Sequence, residues 1–90
     1  MAIAVYVNPD GMTAAQYDEA HRRLVEAGAG SPKGRLHHSV FGAPDHLMVY
    51  DVWESQEDSE VFTQTLGPIL EEVGVKISNP PDAMPIHNME

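Results

Sequence analysis

The chain has 90 residues, 42% of them hydrophobic, and a formal net charge of −9 from fourteen acidic and five basic side chains. This length fits one small domain, residues 1–90, which buries a modest core and gains from oligomerisation. Five cations are too few for a nucleic-acid surface, and no apolar run is long enough to cross a membrane. The absence of cysteine excludes disulfides, thiolate catalysis and zinc–thiolate sites. The N-terminal segment has no basic region before an early turn, so we expect no signal peptide and a cytoplasmic location.

The first third of the chain predicts a strand followed by a helix. Residues 2–7 are apolar and rich in β-branched and aromatic side chains, and a proline–glycine turn follows them. Thr13 and Gln16 form a capping-box pattern, which predicts the start of a helix. Its inward stripe recurs at spacings of three and four, and Gly28 or Gly30 should end it. The stripe consists of Tyr17, Ala20, His21, Leu24 and Ala27.

The middle of the chain predicts a β-hairpin. Residues 35–42 form its first strand, and the run from His46 to Ser55 carries its second strand into the next helix. Apolar side chains fall on both parities of the second strand, which is typical of a strand covered on both faces. If the turn is centred on Pro44 and Asp45, one register follows. It pairs Val40 with Val49, His38 with Asp51, His37 with Val52 and Leu36 with Trp53.

The last third predicts a helix and an edge strand. Ser55 is placed to cap a helix that ends at Gly74, and the Gly67-Pro68 step predicts a kink or a break within it. Residues 83–89 predict the last strand, which Pro85 confines to an edge or to an outward-facing position.

The element order β-α-β-β-α-β predicts an α+β, ferredoxin-like fold. Right-handed crossovers give a four-stranded antiparallel sheet of order 4-1-3-2, with both helices on one face. The opposite face would expose an apolar patch on a monomer, formed by Tyr6, Phe41, Met48, Tyr50 or their opposites. We therefore predict a homodimer that pairs through this sheet face, as a dimeric α/β barrel.

The segment from Asp51 to Ser55, followed by Phe62, carries a family resemblance. It resembles the strand-to-helix step of the antibiotic-biosynthesis-monooxygenase branch of the dimeric α/β-barrel superfamily. A histidine in the second strand, a Leu66–Leu70 segment and a terminal His-Asn pair resemble small uncharacterised bacterial proteins of that group, over nearly the whole chain. The resemblance implies the fold more than the chemistry, because the superfamily hosts several activities. Phe62 stands where haem-degrading members carry a helix histidine, which argues against haem.

His38 and Asp51 are the candidate catalytic pair. In the predicted register they face each other across the hairpin, where a carboxylate would fix the tautomer of the imidazole. His38 would then take a proton from an acidic phenol or enol. The alternative is a buried polar pair that only satisfies itself.

Aromatic side chains and one further histidine are candidate ligand contacts. We predict a pocket between sheet and helices in which a flat ligand meets Trp53, Tyr6, Tyr50 and Phe62, although each also fits a core or dimer-interface role. His87 in the last strand could be a second acid–base group or a polar contact in the pocket. The alternative is an exposed or dimer-contacting side chain at the sheet edge.

These expectations combine into one functional hypothesis and one alternative. The hypothesis is a small homodimer that binds a small apolar or aromatic molecule and oxygenates an activated aromatic or enol without metal or organic cofactor, as the family resemblance implies. The alternative is a non-catalytic dimer that binds a small ligand or serves in stress, with a structural His38–Asp51 pair. Neither involves nucleic acid or a membrane.

Overall fold

The computed structural model describes residues 2–90. The strands and helices are β1 (Ile3–Val7), α1 (Ala14–Glu26), β2 (Arg35–Ala43), β3 (His46–Trp53), α2 (Gln56–Glu72) and β4 (Asp82–Pro85). All strand pairs are antiparallel, in the order β2-β3-β1-β4. The predicted ferredoxin-like fold is thereby confirmed, because this order is 4-1-3-2 counted from the other edge. No helix within residues 2–90 is both long enough and apolar enough to span a bilayer.

Side-chain caps fix both helices where the sequence predicts them. Thr13 Oγ1 accepts a hydrogen bond from the Gln16 amide (3.1 Å), and the Thr13 amide donates to Gln16 Oε1 (2.9 Å). The Gln16 side chain also donates to the carbonyl of Val73 (3.4 Å), at the far end of α2. At the start of α2, Ser55 Oγ accepts from the Asp58 amide (3.2 Å). The caps thus define both helix starts and tie α1 to α2.

The hairpin has the predicted register over most of its length. His38 lies opposite Asp51 and Val40 lies opposite Val49, as expected. The predicted pairing of Leu36 with Trp53 is wrong, because a bulge interrupts β2 and Arg35 occupies the position opposite Trp53. A bulge places two residues against one on the neighbouring strand, so the extra residue loses its partner. Leu36 is that residue, and it is 49% exposed.

Of the predicted kink or break in the second helix, the break is wrong. The helix runs unbroken from Gln56 to Glu72 through Pro68. Proline removes one backbone hydrogen bond, but tertiary packing supplies most of the stability of a helix in a protein. Phe62, Leu66 and Ile69 all pack in one core cluster, so α2 is held on both sides of Pro68.

The last strand is shorter than the predicted residues 83–89. It forms the sheet edge beside β1 and ends at Pro85. Its final hydrogen bond runs from the Ile86 amide to the Ala2 carbonyl (3.0 Å). Since β1 itself begins at Ile3, the residues after Ile86 have no strand beside them.

The helices cover one face of the sheet, and the opposite face is partly exposed. On the helix side, Trp53 is only 1% exposed and its ring packs at a tilt on Phe62, with 5.4 Å between ring centroids. On the opposite, outer face the Tyr6 hydroxyl contacts Met48 Sδ (3.2 Å) and the Tyr6 ring stacks on Phe41. Phe41 is 44% exposed there, so the outer face has apolar surface that this chain leaves uncovered.

Candidate functional site

A largely apolar cavity of about 330 Å³ lies between the sheet and the two helices. That volume is at the lower end of the range typical of small-molecule sites. Its apolar wall includes Ile3, Val5, Leu24, Trp53, Phe62 and Leu66. Polar side chains interrupt this wall, and those on the sheet and α1 are Tyr17, His21, Arg35, His38 and Asp51. An apolar cavity with a few convergent polar groups is the usual form of a ligand site.

Strand alternation brings two of these polar groups together. His38 and Asp51 are cross-strand partners whose side chains both point to the cavity side of the hairpin. His38 Nδ1 lies 2.5 Å from Asp51 Oδ1, and the two side chains are 24% and 12% exposed. The carboxylate therefore holds the imidazole at a fixed angle, with Nε2 directed away from β3.

Tyr17 on α1 supplies the partner of that second ring nitrogen. Its hydroxyl lies 2.7 Å from His38 Nε2, and the two rings are nearly parallel with centroids 6.0 Å apart. Burial raises the pKa of the Tyr17 phenol above its usual value because the phenolate would lose hydration. The positive charge of Arg35 opposes this rise in pKa, while the negative charges of Asp51 and Asp18 add to it. Tyr17 is therefore protonated at neutral pH and can donate its hydrogen bond.

One arrangement of protons satisfies all three groups. The Tyr17 hydroxyl donates to His38 Nε2, and His38 Nδ1–H donates to the Asp51 carboxylate. We name this the Tyr17–His38–Asp51 chain. In a neutral imidazole one nitrogen accepts and the other donates, so the chain can move a proton from the cavity toward the carboxylate. Its geometry suits proton abstraction from a bound molecule.

The structure brings together only some of the predicted ligand contacts. Trp53 and Phe62 line the cavity beside the Tyr17–His38–Asp51 chain. Tyr6 and Tyr50 belong to the outer face: Tyr6 contacts Met48, and the Tyr50 ring packs at a tilt on His37. Neither tyrosine lines the cavity.

His87 also lies apart from the site. It follows the end of β4, is exposed, and does not line the cavity. Within residues 2–90, no three His, Asp or Glu side chains are grouped closely enough to hold a metal ion. The cavity chemistry therefore centres on the hairpin pair and the phenol of α1.

Tyr17 and Arg35 line the cavity but were not among the sequence candidates for catalysis or binding. Tyr17 belongs to the predicted inward stripe of α1, as does His21 one turn later. The two rings stack with their centroids 6.1 Å apart. Helical spacing alone does not separate a phenol in a core stripe from one in a site. Arg35 lines the cavity because of the bulge in β2, and no sequence pattern predicts that bulge.

The sequence matches no known protein-family profile, and no curated protein matches it significantly. Solved structures do match the fold. SnoaB, a cofactor-independent oxygenase from Streptomyces nogalater, superposes with a TM-score of 0.60 at 9% identity, covering 98% of this chain and 93% of that chain. The ActVA-Orf6 monooxygenase of Streptomyces coelicolor, solved with nanaomycin D, gives 0.52 at 20% identity, covering 99% and 89%.

A third structure extends the same likeness. A Chloroflexus aurantiacus J-10-fl protein, provisionally described as an antibiotic biosynthesis monooxygenase, gives a TM-score of 0.64 at 17% identity, covering 100% of this chain and 98% of that chain. At such identities the likeness shows the fold. It confirms that the chain has the ferredoxin-like fold of these proteins, which include one provisionally described as an antibiotic biosynthesis monooxygenase.

Proposed function

We propose that this protein oxygenates a small activated aromatic or enol without a metal or organic cofactor. The observation that carries the proposal is the Tyr17–His38–Asp51 chain, which opens onto an apolar cavity walled by Trp53 and Phe62. Proton abstraction is the protein's main task in such a reaction, because an electron-rich carbanion or enolate can itself reduce oxygen. The structural likeness to SnoaB, described as a cofactor-independent oxygenase, supports the proposal through the shared fold.

The proton path follows from the hydrogen bonds. The substrate gives a proton to the Tyr17 oxygen while Tyr17 passes its own proton to His38 Nε2. The resulting imidazolium is stabilised by the Asp51 carboxylate, 2.5 Å from Nδ1. In this hypothesis His38 remains the base and Asp51 orients it, as the sequence suggests, and Tyr17 is the contact between them and the substrate. Trp53 and Phe62 hold the ring of the substrate and exclude water.

Anthrone is a suitable test substrate because it is a tricyclic ketone that tautomerises to a phenol. One anthrone and one O₂ give one anthraquinone and one water, so oxygen uptake and quinone absorbance must agree. We expect His38→Gln to lower kcat/KM by about 10²–10⁴-fold, the usual contribution of a general base. His46→Gln is the matched control, because the His46 side chain is exposed, bonds to Asn8 Oδ1 and does not line the cavity.

The result also distinguishes the alternative function. If the folded protein binds anthrone and turnover does not exceed the uncatalysed rate, the oxygenase proposal is wrong and a ligand-binding role is favoured. Equal losses in His38→Gln and His46→Gln would remove the proposed role of His38.

We also propose that the chain is a homodimer paired through the outer face. Phe41 on the edge strand β2 is 44% exposed, and Met84 on the opposite edge strand β4 is 56% exposed. Covering such a face by a second copy removes apolar area from water. Phe41→Glu should shift the protein to monomers in sedimentation velocity. Val61→Glu is the control, since Val61 is 60% exposed on α2. A monomeric wild type at micromolar concentration would contradict the proposal.

A further inference from the structure

Arg35 is a cation built into the wall of an otherwise apolar cavity. The bulge in β2 places Arg35 opposite Trp53, whose side chain lies on the cavity side, and leaves Leu36 exposed outside. A regular strand would have placed the leucine there instead. Bulges commonly re-aim a side chain next to a functional site. The backbone thus replaces a hydrocarbon with a guanidinium at this point of the wall.

The guanidinium of Arg35 has no acidic partner among the residues that the structure describes. Arg22 and Arg23 on α1 both pair with Glu19, which is the usual arrangement in a chain so rich in acids. Among the described residues, the Arg35 guanidinium makes one hydrogen bond to protein, from Nη2 to the Gly30 carbonyl (3.3 Å). Arginine has five N–H donors, so most of its donors are free.

The surroundings compensate the charge of Arg35 only in part. Its Cζ lies 5.6 Å from the centroid of the Phe62 ring, a cation–π contact that leaves the N–H donors without acceptors, and the residue is only partly exposed. Neither carboxylate of the cavity wall forms an ion pair with Arg35: Asp51 is bonded to His38, and Glu60 accepts a hydrogen bond from Gln56. A charge with reduced hydration and free donors is best satisfied by an anion from outside.

We propose that the cavity selects an aromatic carboxylate, with the carboxylate on the Arg35 guanidinium and the ring against Trp53 and Phe62. The planar fork of arginine matches a carboxylate with two parallel hydrogen bonds, and its neighbouring aromatic rings match a flat ligand. This inference rests on the cavity being the ligand site of the proposed function. It adds the charge class of the ligand, which the Tyr17–His38–Asp51 chain does not determine.

Two nearly isosteric probes test the inference by calorimetric titration: 2-naphthoate and 2-naphthamide. Wild type should bind 2-naphthoate about ten- to a hundredfold more tightly, the ratio expected for hydrogen bonds between charged groups. Arg35→Met keeps the length of the side chain and should abolish the preference. Arg22→Met removes an equal charge from an exposed ion pair on α1 and should preserve it.

Each outcome decides a specific point. Equal binding of the two probes by wild type overturns this inference and leaves the cavity as a ligand site. Equal effects of Arg35→Met and Arg22→Met overturn it as well, because the preference would then reflect net charge. Failure of both probes to bind overturns this inference and also the cavity as a site for flat aromatics. If Arg35→Met unfolds, Arg35→Lys decides: a loss of preference of severalfold supports the fork, and an unchanged preference refutes it.

Discussion

The strength of the His38–Asp51 contact can be measured by a double-mutant cycle of Asp51→Ala, His38→Ala and the double variant. The atoms lie 2.5 Å apart, and the Asp51 side chain is only 12% exposed. A hydrogen bond to a charged group contributes about 1.5–3 kcal/mol, and removing one partner leaves the other poorly satisfied. We therefore expect each single variant to lose about 2 kcal/mol of unfolding free energy, and the coupling energy to be about 1.5 kcal/mol or more.

Trp53 provides the assay. It is the only tryptophan and is 1% exposed, so its emission shifts to longer wavelength when urea unfolds the chain. All four proteins must be compared at one concentration, because dimer formation would add a concentration-dependent term to stability. For a domain of this size, about 2 kcal/mol corresponds to a fall in Tm on the order of 10 °C. A coupling energy below about 0.5 kcal/mol, the scatter of independent sites, would refute the view that this pair is energetically linked.

Two further predictions concern the backbone conformation at Gly34 and the pKa of the Tyr17 phenol. Gly34 has φ +83° and any side chain there would clash with the Asp58 carboxylate, whereas Gly28 has φ +77° and open space around it. Gly34→Ala should therefore cost more unfolding free energy than Gly28→Ala, which carries only the left-handed backbone penalty of about 1–2 kcal/mol; equal losses in urea unfolding would contradict the clash. For Tyr17, the folded-state pKa is raised above 10.0, so the unfolded chain loses this proton first as the solution becomes alkaline. Stability should be unaffected by this group below pH 10 and should fall as pH rises from 10 through the folded pKa. Tyr17→Phe should show a smaller fall between pH 9 and pH 11, and an identical fall in both proteins would argue against the raised pKa.

The sequence was informative where local rules act. The Thr13 capping box, the Ser55 cap and the hairpin turn each depend on residues a few positions apart, and all three are present. Strand alternation then placed His38 and Asp51 on one face, which made their contact predictable. The same alternation did not reveal which face the helices cover. For that reason Tyr6 and Tyr50 were expected in the pocket, and they lie on the outer face.

The remaining features depend on tertiary structure. The contact of Tyr17 with His38 joins a helix to a strand 21 residues later, and depends on how α1 lies on the sheet. The unbroken α2 shows core packing on both sides of Pro68 outweighing a local signal. The bulge at Leu36 is a feature of how β2 pairs with β3. Neither amino-acid composition nor hydrophobic periodicity predicts these three features.

The bulge also has a consequence for how such a cavity can change over evolutionary time or in the laboratory. Chain length just before His37, and not only side-chain identity, decides whether the position opposite Trp53 presents a cation or a hydrocarbon. Shifting the first residues of β2 by a single position would exchange Arg35 for Leu36 there and convert a wall suited to acids into one suited to neutral rings. One inserted or deleted codon in residues 31–36 is therefore a route to altered ligand preference that comparisons based on substitutions alone would overlook.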